Sequence, residues 1–208
     1  MNVNTNILKR FVIYMAILTF VMFTVWAFVK SFMNRPAGDY ETEVCDIRLK
    51  DKKYDEALDA ANRALEKTPN HRGAIMCKAL IFISQKKYLE ADQELSNLII
   101  FLENNLETDD TTGIGTLAAA YANRGIIKDR NKDYQGALED YIKALGIDHK
   151  AVAGPGLGTV ILNYKFKSSS VKERALYLNE QLQLPEDDRV LSIQELDEGQ
   201  VMHKPGKL

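Results

Sequence analysis

Residues 131–148 read Asn-Lys-Asp-Tyr-Gln-Gly-Ala-Leu-Glu-Asp-Tyr-Ile-Lys-Ala-Leu-Gly-Ile-Asp. Counting from Tyr134, Ala137 lies three residues on, Tyr141 seven, and Ala144 and Leu145 ten and eleven, which is one stripe of an α-helix. Small residues within the stripe mark where a second helix comes close. The phrase recurs upstream: Tyr54, Ala57 and Leu58 lead to Ala64, Leu65 and Pro69, and Tyr88 and Ala91 lead to Leu95 and Leu98. From Tyr54 to Tyr88 is 34 residues, and from Tyr88 to Tyr134 is 46, one period plus an insertion of 12.

This period, with small residues at these offsets, resembles the tetratricopeptide repeat (TPR) family of helix-turn-helix units. The family's small packing positions fall on Cys45, Ala79 and Gly125, then on Ala57, Ala91 and Ala137, then on Ala64, Leu98 and Ala144. A usually bulky position is Glu41, Ile75 and Tyr121, so the first unit departs there and the third fits best. The resemblance implies an all-α TPR solenoid over 40–150 in three units, 40–71, 72–117 with the insertion, and 118–150. The acidic, turn-rich stretch 103–113 is expected to be an exposed loop holding the inserted residues. In the first unit, Tyr40, Val44 and Ile47 form one face of the first helix.

Ahead of the repeats, 11–29 is 19 residues without charge, proline or glycine. As a helix it reaches about 28 Å, close to the hydrocarbon thickness of a bilayer. Lys9, Arg10 and Lys30 bracket it, and Trp26 and Tyr14 suit the interfaces. The apolar core is longer than that of a cleaved secretory signal and lacks its small-residue cut site, so a transmembrane signal anchor over 11–30 is expected. A tail, 1–10, precedes it and a short linker, 31–39, follows. The acid-free N-terminal tail favours an N-inside orientation, with the body outside the cytoplasm.

Beyond the repeats, 151–208 is read as a cap and tail. Ala153-Gly-Pro-Gly-Leu-Gly158 cannot continue a helix and reads as a hinge, since it lacks the strand and the Gly-Lys-Ser/Thr of a phosphate cradle. An apolar segment, 160–166, follows. Ser170 and Glu173 are spaced as a capping box for a helix to about Leu182, whose buried face is Ala175, Leu178 and Leu182. A terminal helix with one wet face is what covers the apolar flank of a solenoid. The tail from His203 looks frayed.

Composition narrows the function. Beyond residue 35 there are 23 basic against 29 acidic residues, an acidic body unsuited to phosphate-driven nucleic-acid binding. Cys45 and Cys77 have neither CxxC spacing nor histidine companions, so no metal site is expected. Cys45 sits at a small packing position, which favours a buried thiol over a disulfide. The three histidines lie in turns and the tail, and no nucleophile or phosphate-loop motif occurs. The expectation is a protein that is not an enzyme and carries no cofactor.

The resemblance implies binding by shape, a partner peptide or helix lying in the groove lined by the first helices. The family's groove positions fall on Asp39, Thr42, Asp46, Leu49 and Lys50 in the first unit, Met76, Cys77, Leu80, Ile83 and Ser84 in the second and Ala122, Asn123, Ile126, Asp129 and Arg130 in the third, and the seven expected to bind the partner are Met76, Leu80, Ile83, Ala122, Asn123, Ile126 and Arg130. TPR proteins that clamp a carboxylate tail place Lys, Arg or Asn at positions that are here Thr42, Asp46, Cys77, Ala119 and Asn123. The cations are missing, so that ligand class is disfavoured. The layout is similar to anchored TPR subunits of translocons or envelope assemblies. It implies a scaffold or accessory subunit in a bacterial inner membrane with its body in the periplasm. The alternatives are a cytosol-facing, N-anchored TPR receptor and an accessory subunit of an enzyme complex.

Overall fold

The chain is described by a computed structural model over residues 5–33, 35–149, 152, 170–193 and 200. The expected hinge at 153–158, the segment 160–166 and the tail from 203 lie outside the described residues. Among the described residues there are eight α-helices and no strand. They are α1 (Thr5–Met33), α2 (Asp39–Lys50), α3 (Tyr54–Lys67), α4 (Arg72–Ser84), α5 (Tyr88–Asn105), α6 (Thr111–Arg130), α7 (Tyr134–Asp148) and α8 (Val171–Leu182). A short 3-10 turn, Glu186–Asp188, follows.

Helices α2 to α7 form three hairpins of TPR type. Each helix packs on the next, and the first helices also touch one another, α2 on α4 and α4 on α6, so the hairpins stack into a solenoid. The small residues make this possible. Ala57, Ala64, Ala79, Ala91, Ala137 and Ala144 are all fully buried. At Gly125 a Cβ would stand 2.6 Å from Tyr141 Cε1, so only glycine lets α6 and α7 approach this closely.

All three hairpins turn the same way. Lys52, Lys86 and Lys132 have φ of 59°, 60° and 67°, the left-handed conformation that ends a helix. In each, the lysine N–H and the following N–H donate back into the helix, to Leu49 and Arg48, Ile83 and Phe82, and Asp129 and Lys128 respectively. This double bond is the Schellman arrangement, built with lysine where glycine is usual. The next helix then starts at the repeat tyrosine.

Helix starts are capped by side chains. Asp110 Oδ1 accepts from Gly113 N at 2.8 Å, Asp133 Oδ1 from Gly136 N at 3.0 Å, and His71 Nδ1 from Ala74 N at 3.2 Å. The expected box on α8 is present in both directions: Glu173 N donates to Ser170 Oγ at 3.2 Å and Ser170 N to Glu173 Oε2 at 2.9 Å. Ala175 and Leu178 are buried and α8 packs on α7, so it covers the last hairpin.

Three expectations are corrected. The insertion is not a long loop: α5 has 18 residues against 14 in α3, and α6 has 20 against 13 in α4, leaving only 106–110 between them. The extra residues extend both helices because Leu98, Ile99, Leu102, Leu117 and Ala118 continue a buried stripe. In α2, Tyr40 and Ile47 are 60% and 51% exposed, so the face they form looks outward, while Thr42 and Cys45 turn inward. Finally, Cys45 and Cys77 are not buried thiols but a disulfide, with Cα atoms 6.5 Å apart. Their separation of 32 residues is nearly one repeat, which places them on facing sides of the neighbouring helices α2 and α4.

Helix α1 stands apart from these packing rules. Its stretch Thr5–Lys30 is long and apolar enough to cross a membrane and is 0% buried, which distinguishes it from the core helix of a soluble domain. The hydroxyls of Thr19 and Thr24 donate to Met15 O and Val21 O, both at 2.8 Å, so the helix itself satisfies them. Lys30 Nζ lies 4.9 Å from the centre of the Trp26 ring toward the C-terminal end of the helix.

Candidate concave interaction face

The first helices of the second and third hairpins do line up as the repeat geometry requires. Asn123 Nδ2 on α6 reaches Met76 Sδ on α4 at 3.6 Å, which fixes the register between the two rows. Met76, Leu80 and Ile83 from α4, with Ala122 and Ile126 from α6, belong to one apolar cluster. Thus the residues expected to line the groove are brought together.

They are not, however, an open trough. Met76 is 1% exposed, Leu80 4%, Ile83 2% and Ile126 2%, and Ala122 and Asn123 are fully covered. Arg130 alone of the seven is partly exposed, with its guanidinium carbon 5.9 Å from the centre of the Tyr88 ring. The same cluster takes in Val152, Val171, Ala175 and Leu178, with Leu191 packed against it. Residues after the third hairpin therefore belong to the core that contains the groove rows. Sequence periodicity locates a row on a helix but carries no information about which distant residues join the same core.

At the third hairpin's end of this face is a polar node that motif reading did not find. Asp129 on α6 accepts from Arg174 Nε and a terminal guanidinium nitrogen, both at 2.7 Å, from Gln200 Nε2 at 2.8 Å and from Tyr141 Oη at 3.2 Å. Arg174 also donates to the Leu191 carbonyl at 2.8 Å. Burial, followed by the Asp129 charge and the hydrogen bond to it, pushes the Tyr141 hydroxyl well above its ordinary pKa, so it remains a proton donor. The only sequence signal was an arginine beside the alanine and leucine of an expected buried face, one position out of step with a wet flank.

Other residues of α6 also anchor the helix. Arg124 grips Asp140 of α7 with Nε at 2.7 Å and a terminal nitrogen at 2.8 Å, and Lys128 Nζ approaches the same carboxylate at 2.9 Å. Tyr121 Oη donates to Glu103 Oε1 of α5 at 2.5 Å. Burial first, and then Glu103, push the Tyr121 pKa up to about 12. These bonds fix the rotation of α6, and hence the direction in which Asn123, Ile126 and Asp129 point.

Between the first two hairpins the joint is His71. Its Nδ1 accepts from Ala74 N and its Nε2 meets Asp39 Oδ1 at 2.9 Å, which requires the neutral ring to carry its proton on Nε2. Gly38, at φ 96°, leaves room for the ring, since a Cβ there would lie 2.9 Å from His71 Cδ2. Among the described residues, no three His, Cys, Asp or Glu side chains gather as a metal ion would need. Of the carboxylate-clamp positions, Cys77 is in the disulfide and Thr42 Oγ1 donates to Gly38 O at 2.9 Å. Neither offers the cation that such a ligand needs.

No family model matches the chain. It is similar to RNA polymerase II-associated protein 3 of Xenopus tropicalis, 29% identical over 166 residues, which is 79% of this chain and 23% of that protein. The Xenopus laevis protein of the same name is 32% identical over 108 residues, 52% of this chain and 14% of that one. The chain thus spans less than a quarter of the length of the curated relatives it matches. Among solved structures, the Arabidopsis OM64 TPR domain aligns over 55% of this chain and 84% of that domain, at 18% identity and a TM-score of 0.45.

Proposed function

We propose that this chain is a membrane-anchored, TPR-type protein-interaction module that serves as a scaffold or accessory subunit of an envelope or translocon-type assembly. The observation that carries the reading is the alignment of α2, α4 and α6, the arrangement through which stacked helical hairpins present a face to another polypeptide. An anchor holds that face near membrane partners and raises their effective concentration.

The body is assigned to the outer side of a bacterial inner membrane. The Cys45–Cys77 bridge supports this side, because disulfides persist in oxidising compartments and are rare where thiols are kept reduced. A cytosol-facing anchored receptor is the second reading, favoured by the likeness to proteins named for association with RNA polymerase II. A reporter enzyme that folds only outside the cytoplasm, fused after Leu208 of the full chain, separates the two. Activity is expected, and a silent reporter overturns the outward assignment. Partner capture is tested by crosslinking the intact anchored protein in its membrane, where recovery of no polypeptide above an anchor-only control would refute the interaction reading.

A further inference from the structure

The tips of the three hairpins lie side by side, and each holds a lysine where the backbone favours glycine. Lys52, Lys86 and Lys132 have φ of 59°, 60° and 67°, a region in which Cβ crowds the following carbonyl. Helices α2 and α4 run parallel, since Asp39 meets His71 near their starts and Cys45 meets Cys77 further on. Helices α4 and α6 do the same through Arg72 with Asp110 and then Met76 with Asn123. The bridge lies seven residues before Lys52 and nine before Lys86, and the Met76–Asn123 contact ten before Lys86 and nine before Lys132. Offsets of one or two residues are about 3 Å or less along a helix, so the turns are level. Arg130, over the Tyr88 ring, joins the second turn to the third directly. Residues 50–53, 84–87 and 130–133 hold seven cations against two acids, Asp51 and Asp133, on a body that is acidic as a whole. Asp133 is occupied as the cap of Gly136. Lys53 reaches Glu56 at 3.5 Å, whereas Lys50, Lys52, Lys86, Lys87 and Lys132 are exposed and have no ion-pair partner among the described residues.

We propose that this turn edge docks an acidic segment of a partner polypeptide. Backbone strain borne three times by the same cation, in one row, points to a use for the charge. Packed helices stand about 8–10 Å apart, so the three turns span about 20 Å, the reach of roughly six extended residues. Carboxylates along such a segment meet ammonium groups that act as point charges and accept them without a fixed fork geometry. The edge is distinct from the buried rows of Met76, Leu80 and Ile126, so the inference goes beyond the concave-face reading and does not require it. A bilayer is the other anionic surface near an anchored chain. The anchor, however, enters α2 at Asp39, and the 12 residues of that helix place Lys50 about 18 Å from its start. This exceeds the Debye length, about 10 Å at 0.1 M salt, so headgroups around the anchor's exit act weakly at the edge.

The full chain in phosphatidylcholine vesicles is titrated with a fluorescent oligoglutamate of about ten residues, long enough to cross all three turns. The parent is expected to bind, and Lys52→Gly/Lys86→Gly/Lys132→Gly to bind about tenfold or more weakly, a few-fold for each exposed ion pair lost. That variant keeps its fold because glycine suits the left-handed turn, and circular dichroism verifies it. Lys52→Arg/Lys86→Arg/Lys132→Arg keeps the charge and should bind within about twofold of the parent. Arg63→Gln/Lys67→Gln/Lys143→Gln removes equal charge from the parts of α3 and α7 remote from the turns, and should weaken binding by less than about twofold. The ratio of parent to glycine-variant affinity should hold when phosphatidylglycerol is mixed into the vesicles. No binding by the parent, loss of binding by the arginine variant, equal weakening by the edge and remote variants, or a ratio that falls to one with phosphatidylglycerol overturns the proposal. None of these substitutions touches the concave rows, so the outcome is read separately from crosslinking of a membrane partner.

Discussion

Arg174 and Asp129 are 45 residues apart in sequence and lie on different helices, yet they share two hydrogen bonds of 2.7 Å with both side chains almost wholly buried. Removing one partner strands the other. Arg174→Ala is therefore expected to destabilise the body by about 3–5 kcal/mol, while replacing both by apolar residues of similar volume costs far less. Denaturant unfolding of the single and double variants checks this, and an Arg174→Ala loss under about 1 kcal/mol would show that water reaches the pair.

Gly125 and Gly146 make opposite predictions. A methyl at Gly125 would be pressed against the Tyr141 ring, so Gly125→Ala is expected to cost about 1–3 kcal/mol. Around Gly146, inside α7, nothing lies within 4 Å, so Gly146→Ala should stabilise by about 0.5–1 kcal/mol. Thermal unfolding of the two variants side by side should move in opposite directions.

The turn lysines leave stability unused. A side chain in the left-handed conformation costs about 1–2 kcal/mol relative to glycine, less the entropy glycine loses on folding. Lys86→Gly is thus expected to raise stability by up to about 1 kcal/mol, with Lys132→Gly similar. A lower denaturation midpoint for both would mean that the lysine side chains contribute more at the turn than the strain takes away.

Reduction should loosen the first two hairpins. The bridge closes a loop of 32 residues, for which the loss of unfolded-chain entropy corresponds to about 3–4 kcal/mol. Cys45→Ala/Cys77→Ala is expected to unfold earlier than the parent by that amount, and reductant should have no further effect on it. A parent protein isolated from its membrane with two alkylatable thiols would contradict the assignment of the body to an oxidising space.

Acid should act through Asp110 and Glu41. Arg72, followed by the Gly113 N–H, holds the Asp110 carboxyl below the usual carboxylate range, and Lys67 does the same for Glu41. A depressed folded-state pKa means the folded chain binds fewer protons than the unfolded one. That stability is present at neutral pH and is lost as pH falls through the folded-state value, below about pH 4. Asp110→Ala, which also removes a helix cap, should cost about 1–2 kcal/mol at pH 7 and much less at pH 2. A deficit that stays constant with pH would assign the effect to the cap alone.

The groove residues need different handling from what their sequence positions suggest. Since Leu80 and Ile126 are buried, Leu80→Asp or Ile126→Asp would place an unpaired charge in the core, and loss of fold is expected before any loss of binding. Circular dichroism of either variant decides the point.

Read alone, the sequence determined the helices, their pairing and the bare apolar leader. Tyr134, Ala137, Tyr141 and Ala144 recur in kind near Tyr54 and Tyr88, and local periodicity with residue size is enough to specify a hairpin that repeats. Ser170 and Glu173 were legible for the same reason, because a cap is settled within four residues of chain. The Cys45–Cys77 bridge was half legible, since a spacing near one repeat puts equivalent positions side by side, but small-residue packing gives the same signal. What only the tertiary structure decided is the state of the concave face. Met76 and Leu80 are 1% and 4% exposed, and the side chains that converge on Asp129 include Arg174 and Gln200, 45 and 71 residues away in sequence. Periodicity along one helix records which face turns inward, and the choice of neighbour is made by the packing of the whole chain.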